Sequence, residues 1–185
     1  MEWVELLNME YGECVVLGGK NRSILMVDCG SVSQKLREGD VPLDAWVETI
    51  AARYESSLDR YFLLTHYHRD HLSGFQKILE RHPGYFTRVF LPRLPQDRRG
   101  SLPFLEFALF AYLFLPPQSD AFQVNTWCVR AFRSLEKSLG ADRIFTVGAG
   151  DVFHFDGVDY QVLWPQKQEY PFDPMLLSAL ESLNV

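Results

Sequence analysis

Between Thr65 and Gly74 the chain reads Thr-His-Tyr-His-Arg-Asp-His-Leu-Ser-Gly, which packs His66, His68, Asp70 and His71 into six positions. The apolar run Tyr61-Phe62-Leu63-Leu64 just before it predicts a short buried strand. Leu72 to Arg81, apolar at Leu72, Phe75, Ile78 and Leu79, predicts a helix. The cluster thus falls on a strand-to-helix loop, where a rigid scaffold displays reactive groups. If the strand direction persists through the first pair, His66 and His68 point to one side and Asp70 and His71 come round the turn. A lone histidine is usually structural, but imidazole and carboxylate this closely grouped are the ligand set of zinc and related ions. On spacing alone the loop offers two ligands to one ion and two to a neighbour.

The pattern His-x-His-x-Asp-His after an apolar strand, with Gly74 three residues later, resembles the signature loop of the metallo-β-lactamase superfamily, a stacked αββα fold of metal-dependent hydrolases. The resemblance implies that His66 and His68 hold a first ion and Asp70 and His71 a second. Zinc is the expected metal, with manganese or iron open. Asp70 is also the implied catalytic group, placed to orient the attacking water or take its proton. In the same resemblance, an Asp-x-Gly at the end of an earlier strand supports the metal loop through hydrogen bonds. Asp28-Cys29-Gly30 matches it. On the residues alone, Asp28 reads equally well as an ordinary turn aspartate.

At 185 residues the chain suits one domain, 1–185, able to bury a substantial core. A net charge of −6 argues against a generally basic, nucleic-acid-coating surface while permitting a local basic groove. Arg93, Arg98 and Arg99 are the candidates for such a groove and for receiving phosphate; solvated surface is the plainer reading. Cys14, Cys29 and Cys128 are odd in number and contain no Cys-x-x-Cys pair, which points to reduced thiols in a cytoplasmic protein. Met1-Glu2-Trp3-Val4-Glu5 carries acid where a signal peptide carries base. The apolar stretch from Leu102 to Leu115 is broken by Pro103 and Glu106 and is too short to span a bilayer, so no membrane association is expected.

In chain order, Cys14–Leu17 and Ser23–Asp28 flank a Gly- and Asn-containing turn and predict a hairpin. Asp44–Tyr54 predicts a helix and Arg88–Pro92 a strand. Phe104–Leu115 and Val124–Leu139 predict a helical insertion at about 101–140. Arg143–Val147 then predicts a strand, and Val152–Phe155 with Val158–Trp164 a hairpin across Asp156-Gly157. This hairpin is similar to one in metallo-β-lactamase-like domains of the DNA-uptake competence type, which favours phosphodiester chemistry. His154 is the one late histidine. It lies on the opposite strand face from Phe153 and Phe155 and reads as an ordinary contact rather than a ligand. His82, at a helix end, is a poorer candidate still. A helix is expected at Leu176–Leu183, and the terminal strands, bridging aspartate and last histidine that the resemblance implies are not found after it.

The expectation is therefore an α/β, metallo-β-lactamase-like sandwich, incomplete at its C-terminus. Its expected function is metal-dependent hydrolysis, acting on phosphodiester or nucleic-acid substrates. The alternative is a non-catalytic module that needs the missing part, a homodimer or a partner chain over its open end.

Overall fold

Strict two-residue alternation along the central strands decides the architecture. In the sequence Ile24-Leu25-Met26-Val27, residues 24 and 26 join one apolar cluster and 25 and 27 another; Tyr61-Phe62-Leu63-Leu64 and Val89-Phe90-Leu91 divide in the same way. Strands that are apolar on both faces must be covered on both. The structure, a computed structural model, describes residues 1–31, 43–93, 135 and 137–164 and shows what covers them. The order is β1 (Trp3–Leu6), β2 (Val15–Gly18), β3 (Ser23–Val27), α1 (Leu43–Arg53), β4 (Asp59–Leu63), α2 (Arg69–Arg81) and β5 (Arg88–Pro92). A 3-10 turn (Ala141–Arg143) then leads into β6 (Ile144–Val147), followed by β7 (Val152–Phe155) and β8 (Val158–Gln161).

β1 to β6 form a six-stranded mixed sheet in sequence order, and β7 and β8 form a separate hairpin. β3, β4, β5 and β6 run parallel, while β1 and β2 are antiparallel additions on the β3 side. Helices α1 and α2 cover one face through Val47, Ile50, Leu72, Phe75, Ile78 and Leu79, packed on Val16, Ile24, Met26, Phe62 and Val89. Phe62 stacks on Phe75 with ring centroids 3.8 Å apart. Phe153 and Phe155 of β7 cover the other face against Leu25, Phe90 and Val147. The Asp156 carboxylate at the hairpin turn accepts from the Lys20 backbone N–H at 2.8 Å, fastening the hairpin to the β2–β3 turn. The fold is α/β, and among the described residues no helix is long and apolar enough to cross a membrane.

Two local differences from the sequence reading have physical causes. β1 carries no clean alternation in its sequence. It pairs with β2 through its backbone, Trp3 stacks on Tyr54 at 6.1 Å, and Glu5 accepts a 2.6 Å bond from the Tyr54 hydroxyl. Helix α2 starts at Arg69, not Leu72, so Asp70 and His71 occupy its first turn. The apolar stripe starts later than the helix because that first turn faces the candidate site, and an aspartate there is favoured by the helix dipole. The predicted helices at 104–115 and 176–183, nearly all of the one at 124–139, and Arg98, Arg99 and Cys128 lie outside the described residues.

At Gly30 the backbone of the loop after β3 meets the backbone of α2 directly. A Cβ on Gly30 would lie 2.7 Å from the carbonyl oxygens of Arg69 and Asp70, which are backbone and cannot swing away. Gly30→Ala is expected to lower stability by about 1–3 kcal/mol. Urea unfolding checks this, and an unchanged midpoint would show that α2 does not need this close approach.

Candidate metal centre

The site is assembled at the carboxyl ends of two neighbouring parallel strands, where open α/β sheets place their ligands. Val27 pairs with Leu63, so Asp28 leaves β3 beside the segment that carries Thr65 and His66 out of β4. The Asp28 N–H donates to the Leu63 carbonyl at 2.9 Å and the Leu64 N–H to Phe90 at 2.9 Å, extending the ladder one step past the strands. Asp28 then turns the chain with φ of 55°, a left-handed conformation that aspartate tolerates better than most residues. Beyond it, the Cys29 N–H donates to the His71 carbonyl and the Cys29 carbonyl accepts from the Phe75 N–H, both at 2.8 Å. The first turn of α2 is thereby tied to the end of β3.

The Asp28 side chain is 1% exposed and accepts three hydrogen bonds. The Thr65 N–H donates to Oδ1 at 2.7 Å. The Thr65 hydroxyl and His71 Nδ1 reach Oδ2 at 2.6 and 2.8 Å. A carboxylate offers only acceptor oxygens, so His71 Nδ1 carries a proton, and in the neutral imidazole the lone pair is on Nε2. That nitrogen lies 3.4 Å from Asp70 Oδ2. Two acceptor atoms facing each other at this distance call for a proton or a metal ion between them.

His66, Asp70 and His71 form one group whose ligand atoms all lie within 4.8 Å of one another. The His66 and His71 rings approach to 3.7 Å between centroids. His68, exposed at the N-cap of α2, stands edge-on to His66 at 4.6 Å and is not part of that group. The structure thus brings three of the four candidate residues into one close group, with His68 beside His66. Glu13 forms a second close group with Asp28 and His71. Its Oε2 is 3.9 Å from His71 Nδ1 while Asp28 is at 2.8 Å, so Asp28 is the nearer acceptor. Thr65 and Glu13 went unnoticed in the sequence; for Thr65 the available signal was a hydroxyl side chain directly before the first histidine.

The other candidates have partners of their own. Arg93 extends β5 and pairs with Asp151 at 2.5 Å, joining it to the turn before β7. His154 is exposed on β7 and bonds Asp159 at 2.9 Å, and His82 pairs with Glu48 at 3.0 Å. Cys14 and Cys29 are buried free thiols. The donor set of two imidazoles and one carboxylate suits zinc, iron or manganese, and His71 Nε2 facing Asp70 Oδ2 at 3.4 Å fits a cation between them. Compared with protein-family models, curated proteins and solved structures, the chain matches none.

Asp28→Ala leaves the Thr65 N–H and His71 Nδ1–H without their buried acceptor. It should cost about 3 kcal/mol in denaturant unfolding and weaken zinc binding by about 10–100-fold. Wild-type values in both measurements would remove Asp28 from the centre.

Burial first, and then His71 and His68, hold the His66 imidazole below its ordinary value. As pH falls, the unfolded chain takes this proton first, near about 6.5, and the folded chain later. The contribution of His66 to stability is therefore complete above that value and is lost as pH falls through the lower folded value. The metal-free His66→Gln variant should lose stability less steeply than wild type below about pH 6.5. Parallel curves for the two proteins would contradict it.

Proposed function

We propose that the chain is a metal-dependent hydrolase of metallo-β-lactamase type, with one ion held by His66, Asp70 and His71. The convergence of those three groups at the carboxyl end of the parallel strands carries the reading. Three protein ligands with an open position is the arrangement of a catalytic zinc. Zinc so held supplies an activated water and polarises the bond to be cleaved. Within the protein, Asp28 fixes the His71 ligand atom. Asp70, 36% exposed, lies on the open side, where its carboxylate can orient a water and accept its proton.

Phosphodiesters remain the preferred substrate class on the resemblance of the β7–β8 hairpin, though the Arg93 charge is offset by Asp151. The αββα sandwich is the fold we assign, supported by α1 and α2 on one face of the main sheet and the hairpin on the other. The odd, unpatterned cysteines support a reducing, cytoplasmic setting. A second reading, a metal-binding module without turnover, is favoured by His68 lying outside the group and His154 being bonded to Asp159.

Zinc titration of the dialysed chain should show about one ion per chain, with binding lost in His66→Ala, His71→Ala and Asp70→Asn. Zinc-dependent cleavage of bis(4-nitrophenyl) phosphate that is lost in Asp70→Asn supports the enzyme. Stoichiometric zinc with no cleavage supports the module. A folded wild-type chain that binds no zinc, manganese or iron overturns both readings.

A further inference from the structure

The Thr65 hydroxyl has two partners and one proton. Its oxygen lies 2.6 Å from Asp28 Oδ2 and 3.1 Å from His66 Nδ1. Asp28 Oδ2 already accepts from His71 Nδ1 and has no hydrogen of its own to offer as a carboxylate. If the Thr65 proton pointed to His66, two oxygens would face each other at 2.6 Å with no hydrogen between them, a repulsion that the fold has no reason to bear. The hydroxyl must donate to Asp28. Its remaining lone pair then meets His66 Nδ1, which bonds to it only as an N–H donor.

We propose that Thr65 is a positioning residue that fixes His66 as its Nδ1–H tautomer, so that Asp28 sets the ligand atom of His71 directly and of His66 through the Thr65 hydroxyl. Both histidines then carry their proton on Nδ1 and keep the Nε2 lone pair for an ion. The chain His66 Nδ1–H to Thr65 Oγ1–H to Asp28 Oδ2, with His71 Nδ1–H arriving from the other side, leaves each of these polar atoms with a partner. Thr65 also donates its backbone N–H to Asp28 Oδ1 at 2.7 Å, so the threonine is held at two points before it holds the histidine. Outer partners of this kind fix ring orientation as well as tautomer. The purpose assigned to the relay rests on the metal-centre reading, whereas the relay itself rests on the hydrogen bonds alone.

The test is made on the metal-free, 15N-labelled chain at about pH 8, where histidines are neutral. Long-range 1H–15N correlation spectra report which ring nitrogen carries the proton, and the His66→Gln spectrum identifies the His66 signals. Wild type and Thr65→Ser are expected to show His66 as the Nδ1–H form. Thr65→Val, which keeps the shape and removes the hydroxyl, is expected to shift it toward Nε2–H and to weaken zinc binding by about 10–100-fold, with Thr65→Ser near wild type. A wild-type His66 in the Nε2–H form overturns the proposal without recourse to any variant, and so does an unchanged His66 tautomer in folded Thr65→Val. An Nδ1–H tautomer in a wild-type chain that takes up no metal upholds the relay and overturns the metal-centre reading instead.

Discussion

One buried carboxyl group holds the candidate site together. Asp28 stands where β3 ends, at a depth where an unpaired polar group is costly, and its three donors come from two other segments of the chain. The Thr65 N–H and O–H arrive from the end of β4, and the His71 imidazole arrives from the first turn of α2. Satisfying one acceptor therefore fixes the relative positions of a strand end, a loop and a helix. The left-handed turn at Asp28 belongs to the same arrangement. It lets Cys29 exchange backbone bonds with His71 and Phe75 while Gly30 meets the backbone of Arg69 and Asp70.

The two-faced sheet makes that junction rigid. Phe62 and Leu64 of the β4 segment pack under the helices while Tyr61 and Leu63 pack under the β7–β8 hairpin, so a slip of one residue would turn every one of them to the wrong side. The position of Thr65 and His66 thus follows from the register of these apolar residues. α2 is held similarly, by Phe75 stacked on Phe62 below and by the backbone bonds to Cys29 above.

Most of this frame was legible in the residues. The hairpin at β2–β3, the Asp156-Gly157 turn, the outward His154 and the helix–strand alternation all follow from local pattern, because there the deciding interactions are near in sequence. Asp28 could be singled out, but not distinguished from a turn aspartate, since its partners lie 37 and 43 positions away. The ligand grouping was less legible for a related reason. Period-two reasoning sets His66 and His68 on one side, but β4 ends at Leu63 and the helix begins at Arg69, so the strand direction does not persist through them. That early helix start carries Asp70 and His71 back beneath His66 and leaves His68 exposed at the cap. The start was hidden because its first turn is polar, and apolar periodicity cannot see a turn that faces a site. Arg93 illustrates the converse, since a basic residue read as a phosphate contact has an acidic partner that comes from a distant turn.

The placement of the groups also decides which atoms are left for an ion. In a hydrogen-bond set with one carboxyl acceptor at its centre, protons flow toward Asp28, so the atoms on the far side of each imidazole are left with lone pairs. His71 Nε2 faces the Asp70 carboxylate at 3.4 Å, and His66 belongs to the same close group. A cation there meets ligands whose tautomers and ring directions are already set by bonds it does not have to form, and the entropy of ordering them has been spent in folding. The same wiring ties metal affinity to stability. Loosening Asp28 frees the ligand atoms and the seat of α2 together, so the centre and the fold around it are expected to fail as one unit rather than separately.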